Sequence, residues 1–68
     1  MSATIRINGK DEALEAATVA ELLAARGISR PKGVAVALNG AVVPAGSWHA
    51  ARLAPGDRIE IVKPFGGG

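Results

Sequence analysis

The chain has 68 residues, no cysteine, one histidine and a formal net charge of +2. Its length allows one small domain without a deep active-site cleft, and the lack of cysteine excludes disulfides and thiolate metal sites. Its basic residues are scattered and only Trp48 and Phe65 are aromatic, which argues against nucleic-acid binding. With no apolar run of membrane-spanning length and no signal sequence, we expect a cytoplasmic protein with neither a membrane nor a nucleic-acid partner.

The chain opens with a predicted β-hairpin. Residues Thr4 to Asn8 alternate polar and apolar side chains, with two isoleucines on one face, as in a half-buried strand. Asn8-Gly9 then supplies two residues that tolerate the positive φ angles of a type I′ turn. A weaker second strand is expected from Asp11 to Ala16, where it would bury Leu14.

A capping box marks the start of the predicted helix. The Thr18 hydroxyl can accept a hydrogen bond from the amide of Glu21, and the Glu21 carboxylate can reach back to the amide of Thr18. Apolar residues at helical spacing follow, and Gly27 can end the helix in the left-handed conformation. The pattern predicts a helix from Val19 to Arg26 that packs on a core.

A second pair of strands follows the helix. The continuous apolar run Val34 to Leu38 favours a strand that is covered on more than one side. Asn39-Gly40 is another hairpin signal, and it leads into a short strand from Ala41 to Val43. The segment from Ala45 to Ala50 is expected to form a turn or a single helical turn. Its Trp48 is expected to plug or cover the core.

The last predicted strand runs from Arg58 to Lys63 and buries Ile59 and Ile61. A tight turn from Leu53 to Asp57 precedes it, with Asp57 bonded to the local backbone. The order of hairpin, helix, strand pair and final strand predicts an α+β domain over residues 1–63, with one helix across a mixed sheet. A crossover through the helix would place the first strand and the third, which runs from Val34 to Leu38, in that sheet.

The chain ends in Gly66, Gly67 and Gly68, and we expect residues 64–68 to form a flexible tail. A folding argument gives no reason for such an ending, but a glycine tail is thin enough to enter a narrow channel. It would present the α-carboxylate of Gly68 as a reactive group, whereas the alternative is a frayed terminus. Phe65 lies beyond the last predicted strand and is a candidate docking point for a partner.

The side chains themselves do not predict an enzyme. His49 is the only histidine, and the serines have no evident base and orienting acid. One histidine with scattered carboxylates does not predict a metal site. We therefore expect no catalytic residue and no metal in the chain, and we interpret His49 as a surface residue.

Several elements together resemble the ThiS family, the sulfur carriers of thiamin biosynthesis. They are Leu38-Asn39-Gly40, Val43-Pro44 followed by Trp48, the segment Pro55 to Ile59, and the terminal Gly67-Gly68. Each element alone is a weak indication of the family. Their order, their spacing and their occurrence together with the glycine terminus make the match specific. The resemblance covers essentially the whole chain.

The resemblance implies a β-grasp, ubiquitin-like fold and a carrier role without a bound cofactor. A ThiF-type adenylating enzyme would use ATP to activate the Gly68 carboxylate, and a sulfur donor protein would supply the sulfur of the resulting thiocarboxylate. A ThiG-type thiazole synthase would consume that sulfur. The chain departs from the family pattern at Gly66 and at Pro64-Phe65, where small aliphatic residues are expected, which puts the fit of the tail in the partner's channel in doubt.

Other functions remain open at this point. A MoaD-like sulfur carrier for molybdopterin synthesis shares the fold and the diglycine, and a proline-containing segment before the diglycine is common there. A carrier for another sulfur-transfer pathway, such as one for cysteine, is a further alternative. A ubiquitin-like protein modifier would use Gly68 to form isopeptide bonds to lysines. A plain interaction module, or a structural domain with an incidental tail, would not use it at all.

Overall fold

A computed structural model describes residues 3–28 and 33–63 of the chain. Its regular elements are five strands, one α-helix and one short 3-10 turn. In chain order these are β1 (Thr4–Ile7), β2 (Lys10–Ala13), α1 (Val19–Ala25), β3 (Ala35–Leu38), β4 (Ala41–Val42), the 3-10 turn (Ala45–Ser47) and β5 (Arg58–Val62).

The strands form one mixed sheet in the order β2-β1-β5-β3-β4. β5 pairs in parallel with β1 on one side and antiparallel with β3 on the other, so the last strand in sequence is the central one in space. The first and third main strands share the sheet, as predicted, but β5 lies between them. With one helix across it, this sheet is a β-grasp fold, and the predicted α+β class is confirmed.

Both predicted hairpins have type I′ turns. Asn8 and Gly9 have φ angles of 51° and 83°, and Asn39 and Gly40 have 51° and 86°. Each pair separates two residues that face each other across the ladder, so each loop has only two residues. The right-handed strand twist favours this turn type, and asparagine and glycine tolerate its positive φ angles.

The helix begins and ends through local hydrogen bonds. Thr18 Oγ1 accepts from the amide of Glu21 at 3.2 Å, as predicted. The Glu21 carboxylate, however, accepts from the amide of Ala17 at 3.1 Å and not from that of Thr18. Thr18 also forms an antiparallel bridge with Arg52, in which Val19 N donates to Ala51 O and Leu53 N donates to Ala17 O.

The end of the helix is a Schellman motif. Ile28 N donates to Leu23 O at 2.9 Å, and Gly27 N donates to Ala24 O at 3.0 Å. Gly27 has a φ of 80°, which confirms the predicted left-handed stop. The helix ends at Ala25, one residue earlier than predicted.

The predicted second strand, residues 11–16, was too long. β1 has four residues and pairs with only four residues of β2, the last pair being Thr4 and Ala13. One further hydrogen bond joins Leu14 N to Ala3 O at 2.9 Å, and the ladder ends there. Leu14 is half-buried and packs against the core rather than lying in a strand. The other predicted strands differ from the observed ones by a single residue at one end.

The core lies between the helix and one face of the sheet, which we call the inner face. Trp48 is part of it, as predicted, and so are Ile59 and Ile61 of the last strand. Burial of these side chains is the main stabilising contribution, because each removes a large apolar area from water. The buried apolar residues are Ile5, Ile7, Val19, Leu22, Leu23, Val36, Trp48, Ile59 and Ile61.

The opposite side of the sheet, the outer face, is not covered by any described element. The prediction that the run from Val34 to Leu38 is covered on both sides was therefore wrong. Val36 is buried on the inner face, whereas its neighbour Ala35 is exposed on the outer face. Within residues 3–28 and 33–63, the one helix is too short and insufficiently apolar to cross a membrane.

Candidate functional site at the end of the last strand

The central strand leads directly into the candidate reactive segment. β5 ends at Val62 and the described residues end at Lys63. Phe65 and the three glycines, Gly66, Gly67 and Gly68, lie outside the described residues, so their roles in docking and sulfur transfer stay predictions. The division into a domain of residues 1–63 and a tail of residues 64–68 also stays a prediction.

An apolar patch lies on the outer face where β5 ends. It consists of Ala35, Ala37, Val42 and Val62, which the strand register places side by side. Val42 is 76% exposed and Val62 is 60% exposed, the two large apolar side chains most accessible to solvent in the described part of the chain. Together with Asn8 and Glu60, the patch lines a shallow groove. Clustered, exposed apolar side chains are typical of a surface that another protein covers.

The other half of the outer face is charged. Arg6 of β1 and Arg58 of β5 face each other in the parallel register. Arg6 Nε lies 3.1 Å from Asp11 Oδ1, and both side chains are largely exposed. An ion pair so accessible to water contributes at most about 1 kcal/mol to stability. The outer face is therefore divided into a charged half and an apolar half, and the apolar half lies where β5 ends.

Asn8 contacts the last strand through its side chain. Its Oδ1 accepts from Ile61 N at 2.8 Å, and its Nδ2 donates to Ile61 O at 3.3 Å. The main chain of Asn8 also donates to Ile59 O at 2.9 Å. Asn8 thus serves as a turn residue and as a partner of the strand that leads to the terminal glycines.

Asn39 makes a related contact nearer the start of the same strand. Its Oδ1 accepts from Arg58 N at 2.9 Å, and its Nδ2 donates to Asp57 Oδ1 at 3.1 Å. Its main-chain amide donates to Arg58 O at 2.7 Å. The two asparagines of the hairpin turns therefore both bind the backbone of the central strand.

Sequence reasoning missed these residues in two ways. Asn8 and Asn39 were interpreted as turn residues only, because their partners are distant in the sequence. The apolar patch was also missed, although the alternation of the last strand contains a signal for it. Val62 has the same parity as the exposed Arg58 and Glu60, so an apolar side chain was to be expected on the solvent side.

The remaining polar residues have structural or surface positions. His49 is exposed, as predicted. Asp57 Oδ2 accepts from Ala54 N at 2.9 Å, which confirms its predicted local role in the turn. Arg26 Nη1 donates to Glu12 Oε1 at 3.1 Å, which joins the end of the helix to β2. Among residues 3–28 and 33–63, no group of three or more acidic, histidine or cysteine side chains is placed to hold a metal ion.

The comparisons with known proteins agree with this architecture. The model of the ThiS family matches residues 3–68. A crystal structure of the thiamine biosynthesis protein ThiS from Geobacter metallireducens is 32% identical to the chain, with a TM-score of 0.77. An NMR solution structure of a thiamine biosynthesis protein from Geobacter metallireducens has the same identity and TM-score. The alignments cover 96% of this chain, 99% of the crystallised chain and 87% of the NMR chain. No curated protein matches the chain.

The chain therefore belongs to the ThiS family. The predicted resemblance is confirmed, and it extends over the fold as well as the sequence. Membership of this family supports the role of a small sulfur carrier.

Proposed function

We propose that this protein carries sulfur for thiazole formation in thiamin biosynthesis, as a thiocarboxylate at Gly68. The observation that carries the proposal is the family match, which extends from residue 3 to residue 68 and thus includes the terminal glycines. The comparison structures support the same pathway, since both are thiamine biosynthesis proteins. The chain is acted on by partner enzymes and supplies one reactive group.

The chemistry follows from the poor reactivity of a carboxylate. The Gly68 carboxylate attacks the α-phosphate of ATP in a ThiF-type adenylating enzyme and releases pyrophosphate. In the acyl-adenylate, the carbonyl carbon is bonded to a good leaving group, so sulfide from the sulfur donor attacks that carbon, loses its proton and displaces AMP. The product is a thiocarboxylate, a soft nucleophile that a ThiG-type thiazole synthase consumes. ATP is bound by the partner, and the carrier binds no cofactor.

The apolar patch of Ala35, Ala37, Val42 and Val62 is the surface by which these partners recognise the carrier. Val62 lies three positions before Phe65 in the sequence, so a partner that binds the patch is also close to the start of the segment that ends at Gly68. The patch is large enough to contribute to binding through burial of exposed valine, but it is too small to bind tightly alone. Such a limited contact suits a carrier that must leave one enzyme and bind the next.

The test is the intact mass of the protein with a free, untagged C-terminus. The protein is incubated with ATP, a ThiF-type adenylating enzyme and a sulfur donor. We expect a mass gain equal to the exchange of one oxygen for one sulfur, and no gain without ATP. A chain that lacks Gly67 and Gly68 is the matched control. Neither glycine has a side chain to bury, so we expect the deletion to leave the fold intact. No gain, with the enzyme active on its own carrier, would contradict the proposal.

Pro64 and Phe65 favour one second candidate, a MoaD-like carrier for molybdopterin synthesis. The two functions share the thiocarboxylate and differ in the enzyme that consumes it. Thiazole formation with a thiazole synthase would support the thiamin pathway. A tight complex with the large subunit of a molybdopterin synthase, without thiazole formation, would support the alternative. Covalent conjugates with lysine side chains after adenylation would instead indicate a protein modifier.

A further inference from the structure

The hydrogen bonds of Asn8 replace a part of the sheet that β1 does not reach. Asn8 N donates to Ile59 O, which is the pattern of a parallel ladder. If β1 continued, the next bond would run from Ile61 N to the main-chain carbonyl of Asn8. The chain instead enters its turn at Asn8, with a φ of 51°, and the side-chain oxygen of Asn8 accepts from Ile61 N at 2.8 Å.

The same replacement occurs at Asn39, near the other end of β5. In an antiparallel pair, two facing residues exchange both main-chain hydrogen bonds. Asn39 N donates to Arg58 O, but Arg58 N donates to the side-chain Oδ1 of Asn39 rather than to its carbonyl. In both turns, an asparagine side-chain oxygen takes the place of a main-chain carbonyl as acceptor for an N–H of β5. The two turns differ in which end of β5 they hold. Asn39 acts at the start of the strand, and Asn8 acts next to its exit.

From these contacts we infer that Asn8 is a positioning residue for the C-terminal segment. Its side chain holds the end of β5 and so sets the point and direction from which residues 64–68 are presented to the adenylating enzyme. This inference rests on the proposed function. Without Asn8, the N–H and C=O of Ile61 lose their partners on the β1 side, and only β3 still pairs with this part of the strand.

The position matters because the reactive carboxylate lies beyond the end of β5 in the sequence. Seven residues lie between Ile61 and the end of the chain, a span of about 25 Å at most when extended. A shift of the end of β5 displaces the point from which the tail starts, and with it the region of space that Gly68 can reach. Reacting groups must lie close together and correctly aligned for rapid chemistry, so a poorly directed tail reaches that geometry less often.

The test compares three variants. Asn8→Gly removes both side-chain hydrogen bonds to Ile61 and keeps the positive φ that the turn requires. Asn39→Gly is the matched control, with the same change in the other turn. Asn8→Asp keeps the acceptor for Ile61 N and puts a carboxylate oxygen in place of the donor to Ile61 O, so it tests the acceptor alone. Two quantities are measured: amide hydrogen exchange by NMR, and the kcat and KM for pyrophosphate release by the adenylating enzyme.

We expect Asn8→Gly to speed exchange at the Ile61 amide by about five- to tenfold, the effect of losing about 1 kcal/mol of hydrogen bonding. The kcat should fall by a similar factor while KM changes little, because the apolar patch is intact. Asn39→Gly should speed exchange at Arg58 and leave both kinetic constants near those of the unsubstituted chain. Asn8→Asp, which keeps the acceptor for Ile61 N, should lose less of the kcat than Asn8→Gly.

Several results would overturn the inference. Equal losses of kcat in Asn8→Gly and Asn39→Gly would indicate a structural role only. A rise in KM at constant kcat would indicate that Asn8 contacts the partner directly. Unchanged exchange at Ile61 would show that the side chain does not hold the strand. Failure of the unsubstituted chain to be adenylated would refute the proposed function, and with it the role of Asn8 in presenting the C-terminal segment. The hydrogen-exchange data would still decide whether the Asn8 side chain holds β5.

Discussion

The indole Nε1 of Trp48 donates a hydrogen bond to the backbone carbonyl of Val43 at 2.8 Å. The bond joins the two ends of the segment that contains the 3-10 turn, while Trp48 as a whole is 7% exposed and belongs to the core. The carbonyl of Trp48 accepts from Ala20 N at 3.0 Å, so the same residue also contacts the start of the helix. Trp48 thus joins the end of β4 to α1 and the core.

Substitution of Trp48 should be strongly destabilising in two separable steps. Trp48→Phe keeps most of the buried apolar area and removes the hydrogen bond to Val43, which we expect to cost about 1–3 kcal/mol. Trp48→Ala also leaves a cavity and should cost about 3–5 kcal/mol. Since a domain of this size has a free energy of unfolding of about 3–10 kcal/mol, the alanine variant should be partly unfolded. Urea unfolding measures both values, and equal stability of Trp48→Phe and the unsubstituted protein would show that the hydrogen bond contributes nothing.

Gly56 should not tolerate a side chain, although nothing lies within 4 Å of where its Cβ would be. Its φ is 85°, in the region that L-residues avoid, and its amide donates to Thr4 O at 2.8 Å. Gly56→Ala should therefore destabilise the fold by about 1–2 kcal/mol. Thermal unfolding would show this as a Tm lower by several degrees.

Gly46 provides the matched control for Gly56. It also has space for a Cβ, but its φ is not positive. Gly46→Ala should leave stability unchanged or raise it by about 0.4–1 kcal/mol, because alanine restricts the unfolded chain. If both alanine variants lost the same stability, backbone strain at Gly56 would not be the cause.

Val62→Asp should weaken binding to the adenylating enzyme without unfolding the protein. Val62 is 60% exposed in the free chain, so a carboxylate there remains hydrated until a partner covers the patch. In the complex, the buried charge should weaken affinity about tenfold or more. Calorimetric titration measures the affinity. Ala13→Asp, at an exposed position of β2, is the control and should bind normally.

Phe65→Ala should also weaken the complex with the adenylating enzyme and leave the free energy of unfolding unchanged. The reason is that Phe65 follows the last strand in sequence, after Pro64, where the strand alternation does not require it to be buried. A loss of about 2 kcal/mol or more in binding is typical of an aromatic residue that anchors an interface. Unfolding of Phe65→Ala in the absence of the enzyme would instead assign Phe65 to the core.

The sequence by itself determined the local features of this protein. The two Asn-Gly turns, the Thr18 cap and the Gly27 stop all follow from contacts within a few residues, or from the φ angles that a residue type accepts. Alternation likewise assigned Ile59 and Ile61 to the core. The order of these elements, together with the terminal glycines, was sufficient to indicate the family.

Only the tertiary structure decided how those local elements meet. It placed the last strand at the centre of the sheet, and it left Ala35 exposed although its segment reads as a buried strand. It also brought Asn8 to Ile61, 53 positions along the chain. A turn residue selects its φ angle locally, but the partner of its side chain depends on which strand folding places beside it. The positions that hold the last strand could therefore be identified only once the sheet was assembled.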